Sequence, residues 1–249
     1  MTNYRLDFSY DGTDFHGYAI QPGLRTVQGV LQEALVPVLG PIRTHVAGRT
    51  DAGVHARHQV VNVEAERQVG VGTLNRSLNR MLGPELMFES VTEVEPEFHA
   101  RYAAVGRSYR YFLLNRRWSD PFLARTSWHY RHPVELDRMN EAAAHVIGDH
   151  DFAAFCRKRA GKSTIRSISE ANWRAEEDDM MVFGVTANAF CHQMVRSIVA
   201  MCVEIGRSNG EPGDMKELLT GGDRNAAQGA APARGLFLWK VHYPHDQGL

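Results

Sequence analysis

The first hundred residues change between strand-like and helix-like spacing of their apolar positions. Residues 4–10 alternate as a strand does and end in the turn cluster 11–14. Apolar residues then recur at helical spacing over 27–38, and Thr26 stands where an N-cap is expected. The other predicted elements of this half are strands at 43–47, 59–65 and 86–94, and a helix that Thr73 caps and Gly83-Pro84 ends.

The second half repeats the same order of elements without any repeat at the level of residues. Its predicted elements are strands at 108–114, 168–175, 181–187 and 236–243, helices at 136–147 and 194–206, and a short helix at 214–219. The order β-α-β-β-α-β is that of a ferredoxin-like unit. The pattern therefore predicts an α+β fold of two ferredoxin-like βαββαβ halves, residues 1–104 and 105–249, whose antiparallel sheets merge into a central sheet.

Composition is that of an ordinary globular protein, with 43% hydrophobic and 23% charged residues in 249. No run approaches the roughly 20 apolar residues that span a bilayer, and the first residues carry no apolar signal region. The three cysteines form neither an even disulfide set nor a C-x-x-C pair. Together these features predict a cytoplasmic, reduced protein without structural zinc.

Net charge is only −1, but basic residues are concentrated locally. Between residues 99 and 131 there is one acid, Asp120, among eight aromatic residues and seven arginines: Arg101, Arg107, Arg110, Arg116, Arg117, Arg125 and Arg131. A second basic run, from Arg157 to Arg166, contains no acid. Arginine interleaved with aromatic residues suits looped or single-stranded RNA. A solvated surface in an arginine-preferring genome explains this composition equally well.

One short polar segment stands out between two predicted strands. It is the run Gly48-Arg49-Thr50-Asp51-Ala52-Gly53-Val54-His55. Its glycines allow sharp turns and a close ligand approach, and a loop on a rigid sheet is a common mount for catalytic groups. From the residues alone, a plain turn with a hydrogen bond from the Asp51 side chain is an open alternative.

This run matches the motif G-R-T-D-A-G-V-H at all eight positions, and through it the chain resembles the tRNA pseudouridine synthase A family. The resemblance covers essentially the whole chain. Further matching segments are Tyr10-Asp11-Gly12-Thr13, Thr26-Val27-Gln28, Phe98-His99-Ala100-Arg101, Tyr109-Arg110-Tyr111, Asn188-Ala189-Phe190, Met194-Val195-Arg196 and Gly235-Leu236. The chain departs from the family at Tyr18, where a tryptophan is usual, and at Leu82-Gly83-Pro84, where Leu-Pro is usual.

The resemblance implies an isomerase that converts uridine to pseudouridine at positions 38, 39 and 40, in the anticodon stem-loop of tRNA. It implies a homodimer with tRNA as its partner, and no cofactor. A non-catalytic RNA-binding module on the same scaffold is the main competing class. Asp51 would be the nucleophile, since carboxylates form covalent adducts at sugars in glycosidases. The atom that it attacks stays open.

The resemblance also implies roles for four other residues. Tyr109 would stack on the target uracil, although Tyr109 and Tyr111 share a strand face and could both be core aromatics. Arg196 would pair with Asp51 and orient it, unless it is a surface arginine bound to another acid. Arg49 would fill the gap left by the flipped base, and Arg101 would hold phosphate. The active site is therefore expected in a cleft between the halves.

The twelve histidines raise the question of a metal site. His55 and His58 are three positions apart, and His192 stands near the start of a helix. No cysteine or carboxylate completes a ligand set at useful spacing. We therefore expect no metal.

Overall fold

A computed structural model describes residues 1–157, 161, 163–221 and 229–244. The chain forms two compact units, one of Met1–Val105 with Phe237–Leu249 and one of Gly106–Leu236. Both units are α+β, with mostly antiparallel sheets. Within the described residues, no helix is both long and apolar enough to cross a membrane. Part of the second basic run, at 158–160 and 162, lies outside the described residues.

The elements in chain order begin with β1 (Thr2–Tyr10), α1 (Val27–Leu39), β2 (Ile42–Val46), β3 (His55–Ala65), α2 (Val71–Leu82) and β4 (Leu86–Val94). They continue with β5 (Gly106–Leu114), β6 (Trp128–His129), α3 (Leu136–Ala144), β7 (Gly148–Asp151), β8 (Ile165–Ala175), β9 (Met180–Ala187), α4 (Met194–Gly206), α5 (Pro212–Gly221) and β10 (Leu236–His242).

The first unit has the strand order of a ferredoxin-like fold. Strand β1 lies between β4 and β3, β2 pairs with β3, and all three pairings are antiparallel. Helices α1 and α2 supply the two crossovers. Strand β10 adds to this sheet in parallel with β3, with Phe237 beside His55 and Leu238 beside Ala56.

Placement of β10 differs from the sequence expectation, which assigned residues 236–243 to the second half. All of β10 after Leu236 clusters with the first unit. Side chains of the first unit hold it there, since the Val241 N–H donates to His58 Nδ1 and the Tyr243 hydroxyl donates to the Ala100 carbonyl. A closing strand cannot be assigned from local pattern, because its partner is far away in sequence.

The second unit has the strand order β5-β9-β8-β7, with neighbours antiparallel, and β6 pairs in parallel with β5. The sequence analysis missed β6 and β7. The first has only two residues, and the second reads Gly-Asp-His-Asp, which lacks the apolar alternation of a strand. Helix α4 is buried on nearly every side, as its predominantly apolar sequence requires.

Of the two helix N-caps that the sequence predicted, one is confirmed and the other is wrong. Thr26 caps α1 as predicted, with extended backbone and Oγ1 accepting from the Gly29 N–H at 3.3 Å. The prediction that Thr73 caps α2 is wrong, because α2 begins at Val71 after Gly70. Since the Gly70 carbonyl accepts from the Thr73 N–H at 2.9 Å, Thr73 already lies within the first turn.

Candidate active site

The segment that carries Asp51 connects β2 to β3 in the first unit. Its last residue, His55, is the first residue of β3, so the motif runs directly into a central strand. Thr50 is buried, Asp51 is partly exposed, and Arg49 and Ala52 are exposed. The loop therefore presents its charged residues at a surface while the residue between them anchors it.

Asp51 opens a tight turn. The Val54 N–H donates to the main-chain carbonyl of Asp51 at 3.1 Å, and Gly53 has a φ of 74°. A residue at the third position of such a turn needs positive φ, which glycine adopts without a steric penalty. The second glycine of the motif is thus required by the turn itself.

A buried hydrogen-bond network holds the loop from the side of the sheet. The Tyr10 hydroxyl lies 2.8 Å from Thr50 Oγ1. The Gln59 side-chain amide donates to the Gly48 carbonyl at 2.8 Å and to the Tyr10 hydroxyl at 3.4 Å. Either hydroxyl can be the donor of the bond between Tyr10 and Thr50. Burial raises the pKa of Tyr10 to about 12, so the Tyr10 hydroxyl stays protonated.

Main-chain hydrogen bonds hold the loop from the segment that follows β1. The Tyr18 N–H donates to the Thr50 carbonyl at 3.0 Å, and the Gly53 N–H donates to the Phe15 carbonyl at 3.3 Å. These two bonds flank Asp51 in the sequence. Its main-chain position is therefore set by the neighbouring segment as well as by the turn.

Two glycines allow this close approach. A Cβ on Gly12 would lie 2.0 Å from the Val54 carbonyl oxygen, and one on Gly17 would lie 2.9 Å from the Thr50 carbonyl oxygen. The Gly12 N–H also donates to His55 Nδ1 at 3.1 Å. From the sequence, the Asp-Gly-Thr segment was predicted to be a turn and matched a family segment; in the structure it packs against the loop that carries Asp51.

A pair of tyrosine variants tests the network beneath the loop. Tyr10→Phe should lower the free energy of unfolding by about 1–2 kcal/mol, since it removes one buried hydrogen-bond partner from Thr50 and one from Gln59. Tyr18→Phe is the matched control, because the Tyr18 hydroxyl is buried beside the same loop and has no hydrogen-bond partner among the described residues. Urea unfolding of both variants measures the difference. Equal losses would contradict the network.

Arg101 lies elsewhere in the first unit, at a well-anchored site. The preceding Ala100 is fully buried, and its N–H donates to Asn62 Oδ1 at 2.9 Å. Arg101 is exposed, with its guanidinium carbon 5.7 Å from the centre of the Tyr102 ring. Tyr102 is 76% exposed, and its ring lies 4.3 Å from that of His99. Tyr102 was not predicted as a site residue, because an aromatic beside an arginine, though common on RNA surfaces, also occurs in cores.

Tyr109 and Tyr111 lie on β5 in the second unit. Tyr111 is fully buried, and its hydroxyl donates to the Pro232 carbonyl at 2.8 Å. Tyr111 is therefore an aromatic residue of the core, which is the alternative that the sequence left open. Tyr109 is 8% exposed, and its ring meets the ring of Phe190 edge-on at 5.0 Å. The two residues share a strand face but differ in what covers them.

Arg196 is the third residue of α4, in a first turn without acidic residues. Its Nε donates to the Ala231 carbonyl at 2.6 Å, and its own carbonyl accepts from the Ala231 N–H at 3.0 Å. Burial raises the pKa of Tyr111, and the charges of Arg196 and Arg234 oppose that rise. Both guanidinium charges thus act on the Tyr111 hydroxyl. Arg234 is a candidate site residue that was not predicted from the sequence.

Two of the histidines that suggested a metal, His55 and His58, have structural partners. His55 accepts from the Gly12 N–H. His58 accepts from the Val241 N–H through Nδ1, so its Nε2 donates to Asp7 Oδ1 at 3.0 Å. In the described part of the chain, no three His, Cys, Asp or Glu side chains lie together as a metal site requires.

Comparisons with known proteins agree with the motif. A family model described as tRNA pseudouridine synthase matches residues 142–244. A tRNA pseudouridine synthase A of Leifsonia xyli is 40% identical over 100% of this chain and 94% of its own length. One of Limosilactobacillus fermentum is 38% identical over 98% of this chain and 96% of its length. One of Listeria monocytogenes is 34% identical over 98% of this chain and 100% of its length.

Among solved structures, a Cbf5-Nop10-Gar1 complex matches over 80% of this chain and 54% of the other chain. The sequence identity is 11% and the TM-score is 0.34. So distant a likeness adds nothing to the assignment, which rests on the full-length relatives.

Proposed function

This chain belongs to the tRNA pseudouridine synthase A family, a family of isomerases, and from that premise we propose that it converts uridine to pseudouridine in tRNA. The observation that carries the proposal is the intact Gly48–His55 loop in a chain that aligns with such synthases over its full length. We propose uridines 38, 39 and 40 of the anticodon stem-loop as the sites of modification.

Asp51 is proposed as the nucleophile. Isomerisation breaks the bond between uracil N1 and ribose C1′, turns the base, and forms a bond between C5 and C1′ with loss of the C5 proton. A carboxylate can hold the fragment that is detached in between. A partly exposed aspartate on a loop fixed from two sides is suited to this work. Since substrate and product are isomers, no redox cofactor is proposed.

Four residues are proposed to bind the RNA around the uridine on which Asp51 acts. Arg49 is exposed two positions away and would occupy the place of the flipped base. Arg101 would pair with phosphate, with Tyr102 beside it as an exposed stacking surface. Tyr109 would stack on the uracil, which is worth about 1–3 kcal/mol per base. Because Tyr109 is only 8% exposed, this stacking requires its neighbours to open when RNA binds.

Arg196 is proposed to act on the rate rather than on RNA affinity. Its Nε bond to Ala231 fixes the guanidinium plane, so it is suited to orient a carboxylate. Arg196→Met should lower kcat by more than tenfold and change the Kd for tRNA by less than about threefold.

Arg101→Met is the matched comparison, because the same change there removes a proposed phosphate contact. It should weaken binding and reduce the slope of log Kd against log salt by about one. Filter binding at several salt concentrations and single-turnover rates measure both quantities. If Arg196→Met lost affinity as much as rate, Arg196 would be a phosphate contact instead.

We also propose that the chain works as a homodimer in the cytoplasm, by analogy with the family. Two modest chains together would offer a surface that matches the size of tRNA. Sedimentation at micromolar concentration should give twice the mass of 28.0 kDa. A monomer under those conditions would contradict the dimer and leave the reaction itself untouched.

Release of tritium from tRNA labelled at uridine C5 tests the proposed reaction, because forming the new bond expels the hydrogen of C5. We expect catalytic release, with many turnovers per chain and no added cofactor. Binding of the same tRNA without any release would favour the competing class, a non-catalytic RNA-binding module.

A further inference from the structure

Two cysteines of the second unit that are far apart in sequence lie side by side. Cys156 follows a 3-10 turn at Ala153–Phe155, and Cys191 comes shortly before α4. The Cys156 thiol is placed to donate a hydrogen bond to the Cys191 sulfur once Cys191 is deprotonated, whereas the Cys191 thiol itself donates to the Thr164 carbonyl at 3.9 Å. The residues that follow them are also joined, since the Arg157 N–H donates to the His192 carbonyl at 3.1 Å. Main chain and side chains thus hold the two segments together at this point.

The two thiols have different surroundings. Cys156 is 1% exposed, whereas Cys191 is partly exposed. The hydrogen bond from Cys156 lowers the pKa of Cys191 to about 7, and the charge of Arg166 contributes in the same direction against the effect of burial. An accessible thiol with a low pKa is the reactive kind. A second thiol within hydrogen-bond reach is what a resolving cysteine requires.

The third cysteine of the chain provides an internal contrast. Cys202 is fully buried within α4, and burial raises its pKa to about 12. A protonated thiol without access to solvent is inert towards oxidants. Any oxidation of this protein should therefore discriminate strongly between Cys191 and Cys202.

We propose that Cys191 and Cys156 form a reversible dithiol–disulfide site that responds to hydroperoxides. The Cys191 thiolate attacks a peroxide oxygen, the O–O bond breaks, and a sulfenic acid and hydroxide form. Cys156 sulfur then attacks Cys191 sulfur, the S–O bond breaks, and the Cys156 proton leaves with the oxygen as water. The two electrons lost by the sulfurs reduce the peroxide, and a small dithiol reverses the step.

A disulfide here would connect the 3-10 turn to the start of α4. Cys191 belongs to that start, since its carbonyl accepts from the Met194 N–H at 3.2 Å. The bond would also protect Cys191 from irreversible oxidation to the sulfinic acid. Transient disulfides of this kind are the ones found in reducing compartments. The site does not depend on the proposed RNA chemistry.

Peptide mass spectrometry of the full chain after hydrogen peroxide tests the site. Wild type and Cys202→Ser should both give a peptide pair linked through Cys156 and Cys191, which dithiothreitol separates. Cys156→Ser should instead accumulate a sulfenic acid at Cys191 that dimedone traps. Cys191 should lose its thiol at least about tenfold faster than Cys202.

Two results would overturn the proposal. One is a wild-type chain in which Cys156 and Cys191 stay thiols while Cys202 is oxidised. The other is a disulfide that forms only between separate chains. Both results are measured on the wild-type chain, so a serine variant that fails to fold does not affect the test.

Discussion

Replacing Asp51 by asparagine should abolish turnover while the affinity for tRNA changes by no more than a few fold. The amide keeps the size and the hydrogen-bonding edge of the side chain but cannot form the covalent adduct. The loop itself should persist, because the turn is closed by the main-chain carbonyl of Asp51 and its neighbours are held through Thr50 and Gly53. Removal of a nucleophile costs on the order of 10⁴-fold or more in rate.

Single-turnover release of tritium and filter binding, each with the same tRNA, measure the two quantities for Asp51→Asn. Glu33→Gln is the matched control, because it also converts an exposed carboxylate of the first unit to an amide, but on the surface of α1. Its rate should stay within twofold of wild type. Residual turnover by Asp51→Asn close to that of the control would rule out Asp51 as the nucleophile.

Gly12→Ala is expected to have the largest effect on stability. The new Cβ would lie 2.0 Å from the Val54 carbonyl oxygen and 3.2 Å from the His55 nitrogen, so main chain must move away from main chain. Overpacking commonly costs 1–3 kcal/mol, and a clash with rigid backbone should cost about 3 kcal/mol or more. The displaced segment is the one that leads from Asp51 into β3, so the rate should fall as well.

Gly72→Ala is the matched control for Gly12→Ala, since Gly72 lies within α2, where its Cβ would make an ordinary 3.5 Å contact with Arg76. Because Gly72 lies in the first turn of α2 and not in its interior, alanine there should raise stability by less than the roughly 0.5–1 kcal/mol of a mid-helix replacement. Urea unfolding of both variants measures the contrast. A Gly12→Ala variant as stable as wild type would show that the Asp-Gly-Thr segment does not clamp the loop.

Much of the fold could be predicted because the signals were local. The periods of 2 and 3.6 gave the element order of the first unit, and Thr26 marked the start of α1 by the chemistry of an N-cap. Thr73 misled because β-hydroxyl residues also occur within a first helical turn, as it does here. Strands β6 and β7 escaped because they are short or polar, and β10 was assigned to the wrong half because strand partnership is a long-range property.

The loop that carries Asp51 could be predicted from the sequence, but the residues that hold this loop in place could not. Asp51 was placed on an inter-strand loop, where the structure has it. The network of Tyr10, Thr50 and Gln59 spans up to 49 positions in sequence, and no local pattern reveals such contacts. The same holds for Cys156 and Cys191, which sequence spacing had left unpaired. Exposure of Tyr102 was equally hidden, because an aromatic beside an arginine can be core or surface.

Position-resolved mapping of pseudouridine in tRNA decides whether this chain performs the proposed isomerisation through Asp51. Unmodified tRNA with uridines at 38, 39 and 40 is incubated with wild type and with Asp51→Asn, and each uridine of the transcript is scored. We expect pseudouridine at those positions with wild type and none with Asp51→Asn, which should still bind the tRNA. Wild type that binds the tRNA and leaves every uridine unchanged would contradict the proposed function.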